Sequence, residues 1–568
     1  MDSHLFRTKS VEQLLGDAEQ GGKALRRTLS ATDLTLLGIG ATIGTGIFLL
    51  TGRAAANYAG PGIVLSYVLA GLACGFAALC YAEVGAMVPV AGSAYSYAYA
   101  SLGEVVAWVI GWDLILEYSV GSMVVAVGWS GYFQHILAGF GVNLPVWMTA
   151  SPNQEIGSLV NLPAIVIVLG IMGVLIIGVR EAARFNVVIV TVKLAAILVF
   201  IVVGAGFVKP DNWSPFMPNG FRGVLTGATV VFFAYIGFDA LSTTAEEATN
   251  PGRDLPFGII ASLVACSALY VAVAGIVSGI IPVVQFKNDS QFLNGPVGYA
   301  LRVTNQDWAA GFVSAGAVAG ITSVLLVMLM SQPRIFFAMS RDRLLPAGVS
   351  KVHPKFRTPY ITTIVTCFIV SAAAGFVPID VLAEMTSIGT LFAFVVVSLA
   401  VSILRITRPD VRRPFRVPGG HVIPVVGVLF CTYLMVSLTV MTWVRFLVWL
   451  DLGMLIYWFY GRTHSPLADA QEASARSGTE NLANFLKMAG FMLLFNGFCI
   501  TLLAYLTIWG VTNETLAKWS ELDAILMYVD MHINPEIADA FGLKILLAGA
   551  VVTAIGYVLG RSVTLPRS

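Results

Sequence analysis

Among the ionisable side chains inside apolar runs of this 568-residue chain, Lys193, Asp239, Asp113 and Glu117 are the first places to look for chemistry. Lys193 falls in Phe185-Asn186-Val187-Val188-Ile189-Val190-Thr191-Val192-Lys193-Leu194, about eight residues into its run. That is roughly 12 Å at about 1.5 Å per residue, and further apolar residues follow before any boundary. Two readings stand for it. The long stem can snorkel the amine to an interface, or the amine is buried and titrates, since desolvation disfavours the charge while neighbouring carbonyls favour it. Asp239 falls in Val230-Val231-Phe232-Phe233-Ala234-Tyr235-Ile236-Gly237-Phe238-Asp239-Ala240, with Ser242, Thr243 and Thr244 close behind. Asp113 and Glu117 are one helical turn apart and can share a face. An acid within an apolar span is rare and usually faces the bundle interior. Glu117 is a candidate for ordering a site, for meeting a cationic ligand indirectly, or for a purely structural hydrogen-bond network.

The elements that would position these groups begin with Gly38-Ile39-Gly40-Ala41-Thr42-Ile43-Gly44-Thr45-Gly46-Ile47-Phe48, four glycines and two threonines inside one apolar run. Glycine costs a helix about 1 kcal/mol relative to alanine, and irregular backbone at membrane depth is tolerated only where it is buried or lines a cavity. The stretch therefore reads as a helix broken around a polar ligand, or as a tight crossing that needs small residues. Gly237 followed by Asp239 marks a second interruption of the same kind.

Composition sets the surroundings. The chain is 57% hydrophobic and 11% charged with mean hydropathy +0.82, far below the roughly 25% charge of soluble domains, so it is an all-α polytopic membrane protein. A net charge of +1 gives no reason to expect a nucleic-acid partner. The six cysteines show no metal or disulfide spacing, and no cofactor is implied. The six histidines form no HExxH or triad-like grouping and no phosphate loop is present, so an enzyme is not expected. The polar first thirty residues lack a signal-peptide core.

Apolar runs of about twenty residues read as spans near 33–52, 61–82, 104–136, 160–179, 184–207, 222–246, 256–281, 308–338, 360–377, 382–404, 422–440 and 441–460, with two more near 483–509 and 540–560. This divides the chain into a tail (1–30), a ten-helix core (31–405), helices 11 and 12 (406–462), a polar linker (463–482) and a two-helix appendix (483–568). The appendix offers no chemistry, and lateral packing or partner contact is its expected role; a small membrane protein, lipid or sterol is a candidate contact at the periphery. Lys and Arg concentrate in the tail and after the even-numbered spans, as at Arg180, Arg184, Arg253, Arg334, Arg341 and Arg405 to Arg416, which places both termini in the cytoplasm. Glu83, ending the second span, reads as interfacial.

The two interrupted spans are the first and the sixth, five helices apart and opposite in direction. That is the pattern of an inverted repeat, and paired Gly-interrupted segments point to a transporter's central site. Half-helix N-termini expose N–H groups that attract a carboxylate, and half-helix C-termini expose carbonyls that suit an ammonium or a cation. A zwitterionic amino acid offers both charges close together.

The residues Gly40 to Phe48 and Phe232 to Asp239 resemble the amino acid–polyamine–organocation superfamily. So do Glu246-Glu247-Ala248-Thr249-Asn250-Pro251 and Phe336-Phe337-Ala338-Met339-Ser340-Arg341-Asp342. Trp112-Asp113-Leu114-Ile115-Leu116-Glu117-Tyr118 and about fourteen spans are most similar to bacterial members of its cationic amino acid transporter group. The resemblance covers about residues 25–462. It implies a 5+5 inverted-repeat core with broken helices 1 and 6 and proton-coupled amino acid uptake at the plasma membrane. Within the backbone stretch Thr42, Ile43, Gly44, Thr45 and Gly46, it implies that Thr45 and Gly46 meet the substrate carboxylate. It sets the amino group against carbonyls of Thr42, Phe233, Ala234 and Ile236. It also implies that Lys193 takes the place of a coupling sodium ion, joining the first span to the eighth near Thr322 and Ser323, with H⁺ as the coupling ion. Met328 would border the substrate side chain, favouring a small neutral one such as alanine, where a smaller residue would admit arginine or lysine; ordinary packing is the other reading of it. Thr386, Ser387 and Thr390 are candidates for the same pocket's polar edge. Asp239 is a candidate cap of the broken sixth helix, and Glu246 and Glu247 are candidates for an inner gate with nearby arginines. Symport of small neutral or cationic amino acids leads these readings, with an amino acid/polyamine antiporter and a non-transporting amino acid sensor as the alternatives.

Overall fold

The computed structural model describes residues 7–467 apart from 20–26, 28, 140, 153–156, 178, 288, 290–291, 294, 350, 352, 354–357, 378, 437 and 439, together with Met492 and Asn496. Nearly all of the expected two-helix appendix, and the linker beyond residue 467, lie outside these residues. Among the described residues there is no strand, only an isolated bridge between Leu29 and Ala248. Eight helical stretches among the described residues are long and apolar enough to cross a membrane, the first of which, Ala31–Met87, holds the first and second spans. Three shorter apolar helices, Leu162–Ile176, Tyr360–Phe376 and Val422–Val436, fall on the fourth, ninth and eleventh expected spans. The all-α, polytopic reading therefore holds.

The first span starts where Ser30 caps it. The Ser30 hydroxyl accepts the Asp33 N–H at 3.3 Å and the Asp33 carboxylate accepts the Ser30 N–H at 2.9 Å, a reciprocal box that satisfies two otherwise orphaned donors. The helix Ala31–Thr42 then ends, with Ile43 extended at φ −78°, ψ 103°. It resumes in a wide π turn, Gly46–Leu50, a form that concentrates at functional sites. The sixth span repeats the device. Helix Gly220–Phe232 tightens through Phe233–Tyr235, Ile236 is extended, and Gly237 takes the left-handed region at φ 120° before a 3₁₀ run, Phe238–Glu247.

Residues 1–437 form one compact unit. Its centre is the third span, Glu104–Gly139, which packs on the eighth, Asp307–Arg341, and the tenth, Ile379–Thr407. The most apolar window of the third span is 83% buried, against 39% for that of the fifth span. The apolar side chains left exposed on the outer helices, such as Val188, Val202, Phe257 and Val264, suit a lipid surround. The fifth span, Val179–Ala205, packs on the first and eighth, and the seventh, Pro251–Ile280, on the first and second. Residues 438–568 form the second unit. In it, helix Val440–Ile456 carries Asp451, which accepts a hydrogen bond from Asn496 Nδ2 at 2.6 Å, and Arg462 lies 4.2 Å over the Trp458 ring.

Candidate functional site

A helix that stops inside a protein leaves its last carbonyls without intrahelical donors, and at the first break almost every one can be accounted for. Ile39 O accepts the Ile43 N–H at 3.0 Å. Gly40 O and Ile43 O each accept a hydrogen bond from the Lys193 ammonium at 2.8 Å. Gly40 O also accepts from the Ser323 hydroxyl at 3.0 Å, with Asn186 Oδ1 a second acceptor for that hydroxyl at 2.6 Å. Thr42 O accepts from the Tyr270 hydroxyl at 2.8 Å. Lys193 is fully buried, so its side chain is turned into the bundle and does not snorkel. Fifth, first and eighth spans meet at this amine, while the neighbouring Thr322 hydroxyl accepts the Trp129 indole N–H at 2.9 Å.

The two breaks touch. A Cβ on Gly46 would lie 2.3 Å from both Cα and Cβ of Ala234, and one on Gly237 would lie 2.6 Å from Ala41 O. Only glycine allows either approach, and Gly237 also needs its positive φ. Tyr270 bridges them: its hydroxyl lies 2.8 Å from Thr42 O and 2.7 Å from Ala234 O. A phenol has one proton to donate, so at any moment one of these two carbonyls lacks it and can accept from another donor. Phe233 O accepts the Ile236 N–H at 3.2 Å, closing the tight turn. Tyr270 belongs to a tyrosine cluster with Tyr67 and Tyr235, at ring separations of 5.3 and 5.1 Å. Tyr67 O accepts from the Tyr235 hydroxyl at 2.9 Å, and the Tyr67 hydroxyl donates to Gly46 O at 3.3 Å. Motif reading missed Tyr270. Its signal was a lone phenol deep in an apolar run, since buried tyrosine hydroxyls need a partner.

Beyond the breaks, Asp239 accepts the Gly237 N–H at 3.1 Å and the Tyr118 hydroxyl at 2.9 Å, so it fastens the restarting sixth helix to the third span. Glu117 is 1% exposed, one turn from Asp113 on the third span. Neither carboxyl oxygen of Asp113 has a hydrogen bond among the described residues, and Gly389 leaves it room. Thr45 packs against Gly128 of the third span and Val324 of the eighth against Gly44. One helical turn beyond Val324, Met328 lies 1% exposed, beside Gly121 and Thr386.

On the face that carries the N-terminal tail, buried ion pairs close the bundle. Arg334 pairs with Glu247 at 2.8 Å and Arg341 with Glu246 at 3.3 Å, both arginines coming from the last turns of the eighth span. Glu246 also accepts the Ala91 N–H at 2.6 Å. Lys9 reaches Asp342 at 2.7 Å, and the Tyr95 hydroxyl donates to the same carboxylate at 2.7 Å. Glu83, expected at the interface, is 1% exposed. It is held by both arms of the Arg405 guanidinium and by the Val417 N–H at 2.7 Å, and its partner 322 residues away gave no local sign.

Two helices broken at glycine-rich stretches touch at their breaks, with the Tyr270 hydroxyl between them and the buried Lys193 amine on the carbonyls that end the first, and paired Gly-interrupted spans of this kind are a pattern of secondary transporters. The chain belongs to the amino acid permease family, whose model matches residues 29–460. It is 52% identical over 469 residues to a branched-chain amino acid permease of Bacillus subtilis, covering 82% of this chain and 100% of that protein. It is 49% identical over 465 residues to a methylthioribose transporter of the same organism, covering 82% and 99% respectively. A vacuolar cationic amino acid transporter of Arabidopsis thaliana is 37% identical over 412 residues, 72% of this chain and 68% of that one. The chain is thus an integral membrane amino acid transporter, not an enzyme, and its placement in the amino acid–polyamine–organocation superfamily stands.

Proposed function

We propose that this chain is a proton-coupled symporter of neutral L-amino acids, from alanine to the branched-chain ones, in the plasma membrane with both termini cytoplasmic. The observation that carries the proposal is Lys193, whose ammonium donates at 2.8 Å to both Gly40 O and Ile43 O at the end of the broken first helix. A fixed cation there disfavours a bound metal cation and supplies a titrating group in its stead. Protonated, the amine holds the first span to the fifth, beside Ser323 of the eighth. Losing the proton removes the charge and one donor and weakens that tie, since hydrogen bonds from charged donors are about twice as strong as neutral ones.

The substrate's carboxylate would take the amides that open the resumed helix at Thr45 and Gly46. Its ammonium would take whichever of Thr42 O and Ala234 O the Tyr270 hydroxyl leaves. Neither charge then needs a charged side chain, which suits a zwitterion with a neutral side chain. The bulk of Met328 and the name of the branched-chain relative support the neutral preference. The Lys and Arg distribution supports the orientation, which makes the Arg334–Glu247 and Arg341–Glu246 pairs a barrier on the cytoplasmic side. The test is uptake of labelled alanine, leucine and arginine into liposomes holding the purified protein, with and without an inward proton gradient. Gradient-driven accumulation of alanine and leucine is expected. Uptake indifferent to the gradient refutes proton coupling, and preference for arginine refutes the neutral reading.

A further inference from the structure

We propose that Gly121, in the middle of the third span, sets how large a substrate side chain the pocket accepts, by deciding how far the Met328 thioether stands back from the cradle. This rests on the amino acid transport reading above.

The geometry runs outward from the first break. Thr45 Cγ2 would lie 2.5 Å from a Cβ on Gly128, and Val324 Cγ2 would lie 2.5 Å from a Cβ on Gly44. The third and eighth spans therefore each press a face on the cradle at the same level. Two turns from Gly128 along the third span comes Gly121, and one turn from Val324 along the eighth comes Met328, on those same faces. There the two helices meet again. A Cβ on Gly121 would lie 3.2 Å from Met328 Sδ, 3.3 Å from Met328 Cε and 3.5 Å from Thr386 Cγ2. Both side chains are buried, Met328 at 1% and Thr386 at 0% exposure.

Glycine at mid-helix is unfavourable by about 1 kcal/mol against alanine, and Gly121 is at neither a cap nor a kink. What it provides is a notch in the third span, occupied by the end of a flexible thioether. Seated there, Met328 stands back from the cradle and leaves room for a larger substrate, and a methyl at position 121 would close the notch and push the sulfur toward the cradle. Contacts of 3.2–3.3 Å to the far end of a methionine require only a small shift, so the helix tolerates the methyl and the pocket loses the volume.

The experiment is competition between leucine and alanine in liposomes, read as the ratio of their transport efficiencies, which is independent of how much protein is active. In Gly121→Ala the leucine-to-alanine ratio should fall about tenfold, the low end of what a methylene-sized change in an apolar pocket achieves. In Met328→Ala, where no thioether is left to displace, adding Gly121→Ala should change the ratio less than about twofold on the same scale. Should Gly121→Ala alone not fold, a fall of about tenfold on adding Gly121→Ala to Met328→Ala would still overturn the proposal. A wild-type ratio in Gly121→Ala, or an equal fall with and without Met328, overturns the proposal. If the wild-type protein transports neither amino acid, it is the underlying reading that fails, whatever Gly121 does.

Discussion

Replacing Lys193 with methionine keeps the stem that packs beside Gly320 and deletes only the ammonium. Two hydrogen bonds of 2.8 Å are lost, to Gly40 O and Ile43 O. Each bond from a charged donor contributes about 1.5–3 kcal/mol, so the tie between the fifth span and the end of the first weakens by about 3–6 kcal/mol. Gly40 O keeps the Ser323 hydroxyl at 3.0 Å, which places the outcome toward the lower figure. Even about 3 kcal/mol is a factor of a hundred or more in the population holding the first helix in place. The consequence for transport is qualitative, because the proton's binding site is gone. With one proton moving per substrate, an inward gradient of one pH unit stores about 1.4 kcal/mol, enough for roughly tenfold accumulation. Proteoliposomes of the wild-type protein under that gradient should concentrate labelled alanine to about this extent, and those of Lys193→Met should only equilibrate it. Undiminished tenfold accumulation by Lys193→Met would refute the assignment of the proton to this amine.

Three further outcomes follow from single contacts. Tyr270→Phe removes the donor shared by Thr42 O and Ala234 O, so the ligand-free protein should lose about 1 kcal/mol of stability. Saturating substrate should recover part of that loss, giving a larger substrate-induced rise in melting temperature than in the wild type; an equal rise would take Tyr270 out of the site. Met328→Ser should gain arginine binding, measured by competition with labelled alanine, and indifference there would remove Met328 from the pocket. Arg405→Ala leaves the buried Glu83 carboxylate with the Val417 N–H and with Arg413 at 3.6 Å and should cost about 3 kcal/mol, the low end for breaking a buried pair, seen as a lowered melting temperature. A double variant that also carries Glu83→Gln should recover much of it.

The backbone half of the site was legible because breaking a helix requires residues that stand out. Four glycines in eleven residues at the first span and Gly237 two before Asp239 are hard to place in an uninterrupted bundle, and both breaks occur there. Lys193 stood out as a lone cation deep in an apolar run, with snorkelling and burial as its two readings, and the structure buries it. Tyr270 was not, since a tyrosine among alanines and valines reads as core until its hydroxyl is followed to two carbonyls on different spans. The ion pair of Glu83 was not legible, because its partner Arg405 stands in another helix and leaves no trace near it in the chain. Gly121 carries no sign of its own in the sequence, one small residue among several on the third span. Only the thioether lying against it gives it a use.

Proton movement caused by the substrate itself is the measurement that bears most directly on coupling. Liposomes containing the protein and a pH-sensitive dye, held at equal pH on both sides and with a potassium ionophore clamping the potential, receive external alanine or leucine. Internal acidification that follows amino acid entry, and is abolished by Lys193→Met, is the expected result. Amino acid entry with no change in internal pH would contradict proton-coupled symport.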